Sequence, residues 1–178
     1  MSMETRRRKK PGLDPRFEIV PLGGAAALVP YALVTANSDR RLVLLVEGGG
    51  AEREQLSRLV KGTLSQGLAI VSISDILAAG KKQEGSTIED LLDVSLWLSL
   101  VTEAHKLSPP MSEDELGKDG CLIARTIKGL EGSGETLDRL RVADAAVGRI
   151  GSALPPRMVD RFVRLFEALN AHLPKGSK

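Results

Sequence analysis

RLVLLVEGGGAEREQLSRL, residues 41–59, decides the fold class of this chain. Arg41 to Val46 (RLVLLV) is a continuous apolar run behind charged residues, the pattern of a strand covered on both faces in a parallel sheet. Glu47-Gly48-Gly49-Gly50 follows at once. From Ala51 to Gln66, the residues Leu56, Leu59, Val60 and Leu64 then recur at helical spacing between charges. That spacing predicts an amphipathic helix, with Gly67 as its natural stop. Leu68 to Ile73 (LAIVSI) reads as the next buried strand, and Asp75 to Ala79 as the start of a helical turn. Upstream, Phe17 to Pro21 (FEIVP) predicts a short strand ending at Gly23-Gly24, where the chain can turn tightly. Ala25 to Ala36 predicts a helix in which Pro30 marks a kink or a delayed start. The strand-helix alternation implies an α/β fold: a parallel sheet flanked by helices, with right-handed crossovers.

Downstream the pattern changes. A polar loop, Gly80 to Ser86, leads to Thr87, which reads as the N-cap of a helix running to Leu107. Trp97, Leu100, Val101 and Ala104 make one face of that helix. Ser108 to Gly120 (SPPMSEDELGKDG) is a loop, and no strand pattern follows it. Three helical stretches do: Cys121 to Leu130, Thr136 to Ile150, and Pro156 to His172. Proline fits the first turn of the last, and Met158, Phe162, Leu165, Phe166 and Leu169 give it an apolar stripe that reads as packing on its own domain. The organisation predicted is a flexible basic segment 1–14, an α/β domain 15–107, a helical C-terminal extension 108–172 and a flexible tail 173–178.

Composition narrows the function classes. At 178 residues with 42% hydrophobic and 27% charged residues, the chain belongs to the ordinary globular class. Aromatics at 3% leave the core to Leu, Val, Ile and Ala. The single cysteine, Cys121, permits no internal disulfide and reads as a small buried hydrophobe, which suits a reducing compartment. No apolar run approaches the roughly 20 residues of a membrane span, so a cytoplasmic protein with no membrane association is expected. A net charge of +2 is too small to imply nucleic-acid binding by itself. The one basic cluster, Arg6 to Lys10, can contact phosphates but reads first as a solvated tail. His105 and His172 are too isolated for a triad or a zinc site. Neither a G-x-G-x-x-G fingerprint, nor a G-x-x-x-x-G-K-[ST] loop, nor a G-x-S-x-G elbow occurs.

Four stretches, in order, carry a resemblance. FEIVPLGGAAALVPYA looks like the strand, Gly-Gly turn and helix that precede the acidic motif of the Toprim nuclease domain in OLD-family ATP-dependent endonucleases. RLVLLVEGGGAEREQLSRL looks like the next strand, acidic loop and helix. GSTIEDLLDVSLWLSLV resembles the later acidic segment, where an Ile-Glu-Asp-Leu core opens a helix. TLDRLRVADAAVGRIG followed by MVDRFVRLFEALN resembles the helical C-terminal end. These stretches run through roughly residues 13–172, and their order and spacing matter more than any single motif.

The resemblance implies a Toprim-like sheet and carboxylates converging on Mg²⁺ for phosphodiester chemistry. It places Glu47 at the first acidic position of an Asp-x-Asp pair, Glu89 and Asp90 in the later acidic segment, and a basic residue, Arg139 or Arg141, near the C-terminal helices. Two departures stand out. The N-terminal Glu motif would lie before residue 13, where only Glu4 is found, and Gly49 stands where the second Asp is expected. Glu47, Glu89 and Asp90 are therefore expected to hold Mg²⁺ weakly, with DNA present, in a domain that is incomplete or catalytically impaired on its own. The same resemblance implies DNA as a partner, together with an ATPase or a Toprim-completing protein; an unpaired sheet edge would favour oligomers. Two other classes compete: a nucleotide- or phosphate-binding module using the turn Gly48-Gly49-Gly50, and a protein-interaction module with solvent-exposed acids.

Overall fold

The structure, a computed structural model, describes residues 11–35, 41–48, 54, 56–58, 68–77, 85–149 and 154–174. Strands β1 (Leu42–Val46) and β2 (Leu68–Ser72) pair in parallel, in register from Leu42 opposite Leu68 to Val46 opposite Ser72. A parallel pair needs a crossover connection, and its described residues, Glu54 and Leu56 to Arg58, are helical. Leu56 is buried with Val46 and with Leu28 of α1 (Leu28–Thr35). Pro30 falls in the first turn of α1, after a 3-10 turn over Ala25–Ala27, which is the delayed start its fixed φ favours. Leu59, Val60, Leu64 and the Gly67 stop lie outside the described residues.

The fold is thus mixed α/β with a parallel sheet, but two expectations for its strands are corrected. FEIVP forms no strand. The side-chain amide of Asn170 accepts from the Asp14 N–H and donates to the Gly12 carbonyl, while Leu13 and Phe17 pack against the core of the C-terminal helix. Tertiary anchoring at the far end of the chain therefore outcompetes local β propensity, and Ile19 is left exposed. Nor is β1 covered on both faces among the described residues: Val46 is buried while Leu45 is exposed.

Helix α2 (Ile73–Leu77) follows β2 directly, two residues ahead of the expected start at Asp75. Thr87 caps only a 3-10 turn, Ile88–Leu91, rather than a long helix. The long helix, α3 (Val94–His105), has its own N-cap, Asp93, whose carboxylate accepts from the Ser95 N–H. An Asp-x-Ser sequence offers the backbone this local alternative to continuing the first turn. Then come α4 (Leu122–Leu130), α5 (Arg139–Gly148) and α6 (Pro156–Asn170). Cys121 is half-buried and caps α4 through its sulfur, so it is not the buried hydrophobe expected.

Two apolar clusters hold these elements. In one, the α6 stripe of Met158, Phe162, Leu165, Phe166 and Leu169 covers Val71, Ile73, Ile76 and Leu91, joining the end of the chain to the sheet layer. In the other, Trp97, Leu100 and Val101 of α3 meet Leu122 and Leu130 of α4 and Val142 of α5. Each such buried side chain contributes about 1.5–3 kcal/mol. Helix α5 is also tied to α3 at both ends. Arg149 donates to Glu103 at 2.5 Å and to Ser99 at 2.7 Å, and the Asp138 N–H donates to His105 Nε2 at 3.2 Å. Among the described residues, no helix is long and apolar enough to cross a membrane.

Gly129 sits where α4 crosses the loop before it: a Cβ there would overlap the Met111 methyl and lie 2.6 Å from the Glu115 carbonyl oxygen. The methyl can swing away but the backbone oxygen cannot. Gly129→Ala is therefore expected to destabilise the protein by about 1–3 kcal/mol, read as a lowered urea midpoint at unchanged slope.

Candidate functional site

Glu47 leaves the carboxyl end of β1, and Gly48 turns the chain there with φ 103°, a conformation that glycine adopts without strain. The Gly48 N–H donates to the Ser86 carbonyl at 2.8 Å, tying the strand end to the loop that enters the turn Ile88–Leu91. That tie brings the Ile88 N–H to Glu47 Oε1 at 3.1 Å, with Glu89 next to it in sequence.

Arg139, the first residue of α5, completes the cluster. Its Nη2 donates to Glu89 Oε1 at 2.6 Å and to Glu47 Oε1 at 3.4 Å, and its Nε donates to Glu89 Oε1 at 3.0 Å. Asp138 sets the position of Arg139 by capping α5: its carboxylate accepts from the Leu140 and Arg141 amides. Glu89 is the buried member, with 12% of its side chain exposed against 41% for Glu47 and 49% for Arg139. Its Oε2 is buried and has no hydrogen-bond partner among the described residues. Partial burial works against the charged Arg139 guanidinium, but the hydrogen bond and attraction to Glu89, then to Glu47, outweigh it and raise its pKa above the ordinary arginine value. With two carboxylates on one guanidinium the cluster keeps a net negative charge.

The structure therefore brings Glu47, Glu89 and Arg139 together and turns Arg141 and Asp90 to other partners. Arg141 points to its own helix start, pairing with Asp138 at 3.3 Å. Asp90, although adjacent to Glu89, faces away: Oδ2 accepts from the Thr87 amide and hydroxyl at 2.7 and 3.2 Å, and Oδ1 accepts from the Leu122 amide at 2.7 Å. Its two oxygens hold the 3-10 turn against the start of α4. Gly49 and Gly50 lie outside the described residues, and the Gly48 amide is already spent on Ser86.

The donors present are hard oxygens, the type Mg²⁺ prefers, and the orphaned Glu89 Oε2 is the observation that fits a cation or water at this place. Two carboxylates suit an ion that keeps most of its waters. They do not make a closed cage: among the described residues no group of three or more His, Cys, Asp and Glu side chains is placed to hold a metal. His105 lies apart from this cluster: its Nε2 accepts the Asp138 N–H at 3.2 Å, and its buried Nδ1 faces the Glu135 carboxylate at 3.7 Å. Sequence reasoning missed the Ser86 carbonyl and Ile88 amide, because backbone groups leave no mark on residue identity. Comparison with protein-family models, curated proteins and solved structures returned no match for this chain.

Proposed function

We propose that this chain is an OLD-like Toprim domain, related to metal-dependent DNA endonucleases, that holds Mg²⁺ weakly in the presence of DNA and does not cut DNA on its own. The observation that supports this most is the meeting of Glu47, Glu89 and Arg139, which come from three separate stretches of the chain and occupy the acidic and basic positions of the resemblance. Bound Mg²⁺ would neutralise charge on a phosphodiester and orient it. Glu47 and Glu89 would hold the ion, with waters and a DNA phosphate completing its octahedron. Arg139 screens the two carboxylates from each other while the ion is absent, and turns its fork to the phosphate when they take it up. Glycine at position 49 removes the carboxylate that a second ion needs. A Toprim-completing or ATPase partner, or a segment outside residues 1–178, would supply the rest.

Gel-shift and nicking assays on supercoiled plasmid test this together. The expected result is DNA binding strengthened by Mg²⁺ or Mn²⁺, loss of that strengthening in Glu47→Ala, and no nicking by either protein. Metal-dependent nicking abolished by Glu47→Ala would show an active nuclease instead. DNA binding indifferent to metal would remove the metal site from the account.

A further inference from the structure

Two arginines outside the Glu47–Glu89 cluster, Arg125 of α4 and Arg161 of α6, line a cleft of about 240 Å³ behind the turn Ile88–Leu91. Both are half-buried, and among the described residues neither forms an ion pair. Their placement comes from neutral backbone oxygens. Arg161 Nη1 donates to the Leu92 carbonyl at 2.8 Å and the Asp90 carbonyl at 3.3 Å, and Arg125 Nε donates to the Gly117 carbonyl at 2.7 Å. Each guanidinium carries five N–H donors, so among the described residues the Nη1 and Nη2 groups of Arg125 and the Nε and Nη2 groups of Arg161 remain available. Among the described residues, the one carboxylate lining the cleft is Asp90, whose two oxygens accept from Thr87 and Leu122. The donors on Asp90 are neutral and leave its negative charge in place, so two partly desolvated guanidinium forks share one carboxylate and the cleft keeps one positive charge in excess, which favours a bound anion.

We propose that this cleft binds a phosphate group through Arg125 and Arg161. Phosphate offers several oxygens in a tetrahedral array, which two separately held guanidinium forks can grip from different sides. Leu77, Val94 and Leu122 form the apolar part of the wall. The site stands apart from the acidic cluster, so free phosphate binding does not depend on the nuclease-derived reading. Only the choice of a DNA backbone phosphate as its source rests on that reading, because Glu89 and Asp90 place the two sites on opposite sides of one turn.

The test uses the full chain without divalent cations, with inorganic phosphate as probe against chloride at equal ionic strength. Phosphate is expected to raise the melting temperature and shift the Arg125 and Arg161 Nε–H signals in NMR. Affinity should fall about tenfold or more in Arg125→Gln and recover in part in Arg125→Lys, which keeps charge but loses the fork. Arg161→Gln provides a second variant, whose folding is checked by circular dichroism. The response should persist in Glu47→Ala, which keeps failure of the acidic cluster separate. A short DNA duplex forms the second arm. Arg125→Gln reducing the slope of log affinity against log salt by about one marks a backbone phosphate, and an unchanged slope marks a free phosphate ligand. Equal responses to phosphate and chloride, or a phosphate affinity untouched by both arginine variants, would overturn the proposal.

Discussion

Asp90→Ala is expected to lower stability by about 2–4 kcal/mol, because one carboxylate serves two caps and each lost cap costs roughly 0.5–2 kcal/mol, with charged hydrogen bonds at the upper end. Removing it leaves the Thr87 and Leu122 amides without their acceptor and frees the turn Ile88–Leu91 from α4. Asp90→Asn should cost nearly as much, since one carboxamide cannot present an acceptor to donors on both sides. Urea denaturation followed by circular dichroism reads both variants. Mg²⁺ affinity of the folded fraction should stay at the wild-type value. A stable Asp90→Ala protein with weakened Mg²⁺ binding would make Asp90 a ligand and not a cap.

Trp97→Ala should cost more, about 3–5 kcal/mol, as expected when a buried aromatic leaves a cavity. The indole is 2% exposed and fills the space where α3 meets α4. Its Nε1–H donates to Thr126 Oγ1 at 2.7 Å, and that hydroxyl donates onward to the Leu122 carbonyl at 2.7 Å. The Thr126 hydroxyl keeps its own acceptor in the variant, so lost packing and not an orphaned donor accounts for most of the effect. Trp97→Phe retains much of the volume and should lose only about 1–2 kcal/mol. Since α3 also positions α5 through His105 and Arg149, Trp97→Ala is expected to loosen the Arg139 contacts as well.

The elements read from periodicity hold because their cause is local. The runs LVLLV and LAIVS are apolar throughout and pair with each other, and Pro156 opens α6 where its missing N–H costs nothing. FEIVP has the composition of a strand, yet its fate depends on Asn170, more than a hundred residues away. The split of the Thr87 segment turns on Asp93 accepting from Ser95, a preference that competes closely with helix continuation.

At the site, the resemblance offered Glu47, Glu89 and Asp90 with either Arg139 or Arg141, and the structure places Glu47, Glu89 and Arg139 in contact while Asp90 and Arg141 bond elsewhere. Side-chain direction, which residue identity does not show, separates these neighbours. Arg139 and Arg141 lie within one helical turn but project differently from α5, and Glu89 and Asp90 diverge from neighbouring positions of a 3-10 turn. Nothing in the sequence joins Arg125 to Arg161. Their cleft exists only because α6 packs across the turn whose Asp90 caps α4.

The most direct measurement is calorimetric titration of Mg²⁺, with Mn²⁺ resonance as a second readout, into the wild type, Arg139→Ala and Glu89→Gln without DNA, where Arg139 has no phosphate to turn to. Arg139 now lies on the two carboxylates that the ion would need. Arg139→Ala is therefore expected to bind the metal more tightly than the wild type, and Glu89→Gln to lose binding altogether. Metal affinity lowered by Arg139→Ala, or left intact by Glu89→Gln, would contradict a cation site at Glu47 and Glu89.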